Sequence, residues 1–219
     1  MPEKNDNFIK ALSEDLTPVK PVRSSRSKAL IWAAIALFAI GLMVYTHGIR
    51  HDISAKLGET FFISQTLGLI AFAVLTALAG FKLSVPDEAN KHRIWVALIY
   101  GALFFWVITL AQSLLHLGFF DVLHHMGETM YMGGKCAASV ISGAIGAATV
   151  MLIMLRRSFA LRPFTTSMGI GIAAGTIAFV GGMYFCSIDG GMHIAAWHML
   201  PVLIVAAALA IAGQFFLKK

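Results

Sequence analysis

Residues 61–81, FFISQTLGLIAFAVLTALAGF, run for 21 positions without a charged side chain. A helix of about 20 apolar residues crosses a bilayer, so this stretch reads as a transmembrane span. Five further segments read the same way: 29–46, 94–117, 136–155, 164–185 and 193–216. None contains Asp, Glu, Lys or Arg. Backbone groups in lipid must bond internally, and unbroken apolar runs lack the alternation of a membrane barrel strand. The predicted fold class is all-α: a polytopic membrane protein with six transmembrane helices.

The composition agrees. Of 219 residues 58% are hydrophobic and 13% are charged, against about 25% charged in soluble domains. A soluble domain of this length cannot bury so much apolar surface. The first span is preceded by 28 residues and followed by Tyr45-Thr46-His47-Gly48, with no small-residue cleavage pattern. It is read as a retained first helix.

The net charge of +6 is unevenly placed. Lys4, Lys10, Lys20, Arg23, Arg26, Lys28, Lys82, Lys91, Arg93, Arg156, Arg157, Arg162, Lys218 and Lys219 fall on one side of the six crossings. Only Arg50, Lys56 and Lys135 fall on the other. Basic residues near span ends stay in the cytoplasm, so both termini are expected there and the chain is placed in a bacterial inner membrane. The charge is an orientation signal and does not read as a surface for nucleic acid.

Two polar regions remain. The first is the tail, 1–28, taken as a unit apart from the membrane domain 29–219. Phe8, Ile9, Leu12 and Leu16 share one helical stripe, which predicts a short amphipathic helix. Thr17-Pro18-Val19-Lys20-Pro21 ends it, because proline lacks the N–H and restricts its predecessor. So short a helix is marginal alone in water. Its stripe needs either the membrane surface or a groove on a partner.

The second region is the opposite face. Cys136 begins the fourth span and Cys186 ends the fifth, so topology puts both at one level. Three readings stay open: a disulfide, a redox- or metal-responsive couple, or two small buried hydrophobes. His47, His51, His116, His124, His125, His193 and His198 lie on or near this face with several methionines. His124, His125 and His193 are the candidate metal ligands, since His, Met and Cys together suit copper or zinc. His47 and His51 have the i, i+4 spacing of one helical face. His193 and His198, five apart, are expected to face different ways.

No carboxylate lies inside a span, which argues against a proton-coupled pump. Nucleophile elbow, P-loop and paired catalytic carboxylates are missing too, so no enzyme and no cofactor is expected. A metal-handling or metal-dependent redox protein built on the outer His, Met and Cys is the alternative.

Several segments together resemble the NrsF family, membrane-embedded anti-sigma factors. Phe8-Ile9-Lys10-Ala11-Leu12-Ser13-Glu14-Asp15-Leu16-Thr17-Pro18-Val19 resembles the family's amino-terminal helix followed by Pro-Val. Leu83-Ser84-Val85-Pro86, the two outer cysteines and Trp197-His198-Met199-Leu200-Pro201 resemble its other segments. The resemblance implies that the tail, through Phe8, Ile9, Leu12, Leu16 and Pro18, sequesters an extracytoplasmic-function sigma factor. It implies that Cys136 and Cys186 sense metal or oxidant, and that Trp197, His198 and Pro201 serve structure or signal relay.

Overall fold

A computed structural model describes residues 9, 10, 13, 23–85, 92–156, 158 and 160–217. Among them there are helices and no strands. Six helices are long and apolar enough to cross a membrane: α1 (Ser25–His47), α3 (Thr60–Leu83), α4 (His92–Leu117), α6 (Met130–Leu155), α7 (Pro163–Phe185) and α8 (Gly191–Phe216). Two shorter helices, α2 (Ile53–Lys56) and α5 (Phe119–Glu128), join them at one end. That end also carries both cysteines and is called the cysteine end.

Helix α7 is the axis of the bundle. Every residue from Thr165 to Gly182 is buried. Its sequence explains this: Gly169, Gly171, Ala173, Ala174, Gly175 and Ala178 leave almost no side-chain bulk, so neighbouring backbones come close. At Gly171 a Cβ would lie 2.6 Å from Ala206 Cα of α8. Two tryptophans fix other neighbours by hydrogen bonds across the apolar interior. Trp106 Nε1 on α4 donates to Thr176 Oγ1 at 3.0 Å, and Trp32 Nε1 on α1 donates to Ala147 O on α6 at 2.9 Å. Large apolar side chains such as Phe38, Leu67, Phe104 and Ile153 point outward from the surrounding helices. A lipid solvent accommodates them and water would not.

Several expectations about boundaries change. The first span starts at Ser25, four residues early, with Ser24 Oγ accepting from Ser27 N. The fourth starts at Met130, so Cys136 lies nearly two turns inside it. Residues 118–135 hold α5, an amphipathic helix that buries Val122. His47 and His51 do not share a helical face: α1 ends at His47, and Gly48 at φ 89° turns the chain away. In the tail, Ile9 is helical and exposed. Phe8, Leu12, Leu16 and Pro18 lie outside the described residues, as does Pro86.

A buried arginine ties the loops of the cysteine end together. Arg50 Nε and Nη2 donate to Asp52 at 2.6 and 2.8 Å. Nη1 and Nη2 donate to Asp189 at 3.0 and 2.9 Å. Nη1 also donates to Met183 O, and Arg50 N donates to Tyr184 O. A planar guanidinium suits this double fork, and a buried charge is tolerable only when so fully paired. Lys56 adds a second cation on Asp189 at 3.1 Å. The clasp thus closes the loop after α1 onto the loop after α7, three residues from Cys186. The hydrogen bonds from Arg50 hold Asp52 down to about 2 and hold Asp189 below the ordinary carboxylate range.

Two outcomes follow from this packing. Gly171→Val forces α7 and α8 apart and lowers unfolding stability in detergent by about 1–3 kcal/mol. Gly146→Ala, where no atom lies within 4 Å of the added carbon, has no such cost; equal melting of the two variants would contradict the close approach. The clasp also gives an acid limit. A depressed carboxylate contributes stability above its unfolded value, near 3.8, and that contribution is lost as pH falls through the folded value. The unfolding temperature of the wild type is expected to drop between about pH 4 and 2. Asp52→Asn with Asp189→Asn flattens that drop, and an unchanged slope would remove the clasp from the stability of this end.

Candidate functional site

Cys136 of α6, Cys186 just after α7, and His193 and His198 of α8 converge at the cysteine end. One ligand atom from each lies within 4.8 Å of all the others. Cys136 Sγ lies 3.7 Å from Cys186 Sγ, both as free thiols. Cys186 Sγ is 3.4 Å from His193 Nε2. The two imidazole centroids are 5.3 Å apart. Cys186, His193 and His198 are buried and Cys136 is partly so.

Each element has a local reason for delivering its side chain. The fifth-span helix ends at Phe185, and Cys186 turns to extended backbone at φ −89°, ψ 123°. Its thiol is thereby released from the helical surface. The following loop is fastened at Asp189 by the Arg50 clasp. In α8 the residues Ala195–Met199 form one π-helical turn, with Leu200 N–H donating to Ala195 O, five residues back. Pro201 lies at the first turn of the α-helix that follows and has no N–H for the carbonyl of Trp197. A π turn widens the helix by a residue, so positions five apart come onto one side. That corrects the expectation for His193 and His198: a regular helix would separate them, and the π turn brings them together. Gly182 completes the fit, because a Cβ there would run into the His198 ring.

Trp197, in the same π turn, donates its indole N–H to Thr129 Oγ1 at 3.1 Å. Thr129 in turn donates to His125 O. Trp197, Ala196 and Val122 form a small second core under α5. The π turn is therefore braced against the junction of α5 and α6.

The other histidines are placed apart. His125 packs its ring 6.4 Å from that of His193, with Nε2 lacking a protein partner. His124 is exposed and faces Glu128 at 3.6 Å. His47 bridges helices, with Nδ1 to Met43 O and Nε2 to Ser139 Oγ.

Chemically the cluster offers two sulfurs and two imidazoles without a carboxylate. The bond from Cys136 S–H, with His198 nearby, lowers the Cys186 thiol below its ordinary value. A cavity of about 280 Å³ is lined both by Arg50 and Asp189 of the clasp and by Cys186 and His198. The clasp was not legible as part of a site, since Arg50 showed only as one of three outer basic residues. Asp189 is likewise one of five acids on that side of the crossings, with Asp52, Glu59, Asp121 and Glu128.

No curated protein and no solved structure matches the chain. A family model does: NrsF, negative regulator of sigma F, matches residues 12–218. That range spans nearly the whole sequence and includes all six membrane helices and both cysteines; the chain belongs to the NrsF family of negative regulators of a sigma factor.

Proposed function

We propose that this protein holds an extracytoplasmic-function sigma factor at the inner membrane through residues 1–28, and releases it when Cys136 and Cys186 engage a metal or an oxidant. The family match over residues 12–218 carries the reading. It gives the regulatory class; the tail and the thiols are this chain's own means of exercising it.

The distribution of charge supports the orientation. Fourteen basic residues on the tail side against three at the cysteine end support a cytoplasmic tail. The tail stripe, Phe8, Ile9, Leu12 and Leu16, then meets a groove on the sigma factor as helix anchors. Pro18, which lacks an N–H, is expected to limit that anchor helix. Direct contact with nucleic acid has no role.

The cysteine end supplies a bistable element. Cys136 belongs to α6 and Cys186 to the end of α7, so a bond between them ties two spans together. With hydrogen peroxide as oxidant, the two thiols give up two electrons and two protons; one S–S bond forms, the O–O bond breaks and two waters leave. The sulfurs close from 3.7 Å to about 2.05 Å, which moves α6 against the axial helix. A packing preference of a few kcal/mol is enough to shift a two-state bundle. Trp197 and Pro201 shape and brace the π turn that would feel this movement.

Two outcomes test the reading. Co-purification with sigma factors is expected from the full chain and lost without residues 1–28. Leu12→Asp with Leu16→Asp is expected to weaken capture about a hundredfold, the loss of two buried apolar anchors. Undiminished capture by the double variant would contradict the tail assignment. In cells, Cys136→Ser is expected to blunt induction of the sigma-dependent genes by oxidant or metal. A wild-type response in that variant would take the thiols out of the pathway.

A further inference from the structure

We propose that Cys136, Cys186, His193 and His198 form a tetrahedral four-ligand site for one borderline-soft divalent cation of the zinc(II) class. The proposal names the ligand of the sensing end. It rests on the reading above only for its regulatory consequence, since cation binding needs no sigma factor.

The distances carry it. A tetrahedral zinc ion bonds thiolate at about 2.3 Å and imidazole at about 2.0–2.1 Å. Simple trigonometry then separates two sulfur ligands by about 3.8 Å, and a sulfur from a nitrogen by about 3.6 Å. The Cys136–Cys186 sulfurs lie 3.7 Å apart, and Cys186 Sγ lies 3.4 Å from His193 Nε2. Both are edges of such a tetrahedron. Two thiols poised only for a disulfide have no need of one imidazole nitrogen at 3.4 Å and a second within 4.8 Å.

The surroundings fit as well. His198 is 4% exposed and its Nε2 has no hydrogen-bond partner. His193 is 1% exposed, and its Nε2 is the nitrogen turned to Cys186 Sγ. Leaving buried polar atoms unsatisfied is costly. The π turn that puts both rings on one side is itself an unusual feature that recurs at functional sites. The ligand set has sulfur and nitrogen without carboxylate, which favours zinc-type ions over calcium or magnesium. The cavity reaching Cys186 and His198 beside the clasp supplies an entry path.

The four ligands come from α6, the end of α7 and α8, so an ion would join three spans at one point. Apart from the cation, the step needs no reactant: thiol protons leave to solvent as the ion binds.

The test uses the full chain in detergent, with thiols reduced and counted, and cobalt(II) as the probe. One equivalent is expected to give intense visible absorption of tetrahedral cobalt and a thiolate-to-cobalt band in the near ultraviolet. Zinc(II) should abolish both. Cys136→Ser is expected to lose about half of the thiolate band. His193→Ala and His198→Ala should each weaken binding by about tenfold or more. Weak octahedral absorption from reduced, folded wild type would overturn the proposal, and this arm depends on no variant. Histidine variants that melt like the wild type and keep its spectrum and affinity would overturn it as well. Tetrahedral binding that leaves sigma capture unchanged would retain the site and refute the regulatory reading. Sigma capture that responds to oxidant in a protein without tetrahedral binding would do the reverse.

Discussion

How closely its neighbours approach the fifth span sets almost everything at the cysteine end. Helix α7 is built largely from glycine, alanine and small polar residues, and it is buried through nearly its whole length. Lipid offers no hydrophobic drive between helices, so close van der Waals contact and buried hydrogen bonds must hold them. Gly171 provides the contact with α8, and Trp106 to Thr176 provides the bond with α4. Because α7 is the axis, its last residue delivers a side chain into the meeting point of several helices. Cys186 follows directly on that last residue, and the Arg50 clasp fixes the loop beyond it.

The same close packing bears on the proposed switch. A well-packed interior does not deform smoothly; it changes between discrete arrangements. Joining Cys136 to Cys186, or gathering both with the histidines of α8, acts on three spans whose other ends face the tail side. The clasp limits how far the loops can yield, and the π turn sets where the rings of His193 and His198 lie on α8. Family membership supplies the output, negative regulation of a sigma factor.

Much of the architecture was legible from the sequence because it follows from solvent. Uncharged runs such as 61–81 marked all six spans, and their order put Cys136 and Cys186 at one end. The exceptions have specific causes. The 118–135 stretch carries few long apolar runs, and α5 shows only when Val122 and Trp197 are seen to meet. His193 and His198 looked divergent because a 3.6-residue period was assumed; the π turn, prompted by Pro201, breaks that period. Trp197-His198-Met199-Leu200-Pro201 contained the signal in the form of a proline three residues after a histidine. Arg50 could not be read at all, since its role depends on two loops closing over a distance of 139 positions.

Reconstituting the chain in lipid nanodiscs with its purified sigma factor tests the central claim most directly. Affinity is measured with Cys136 and Cys186 reduced, then after peroxide or zinc(II) has engaged them. The account predicts tight capture in the reduced, metal-free state and a loss of at least about tenfold, roughly 1.4 kcal/mol, once the thiols are engaged. Equal affinity in both states, with thiol engagement verified, would contradict it.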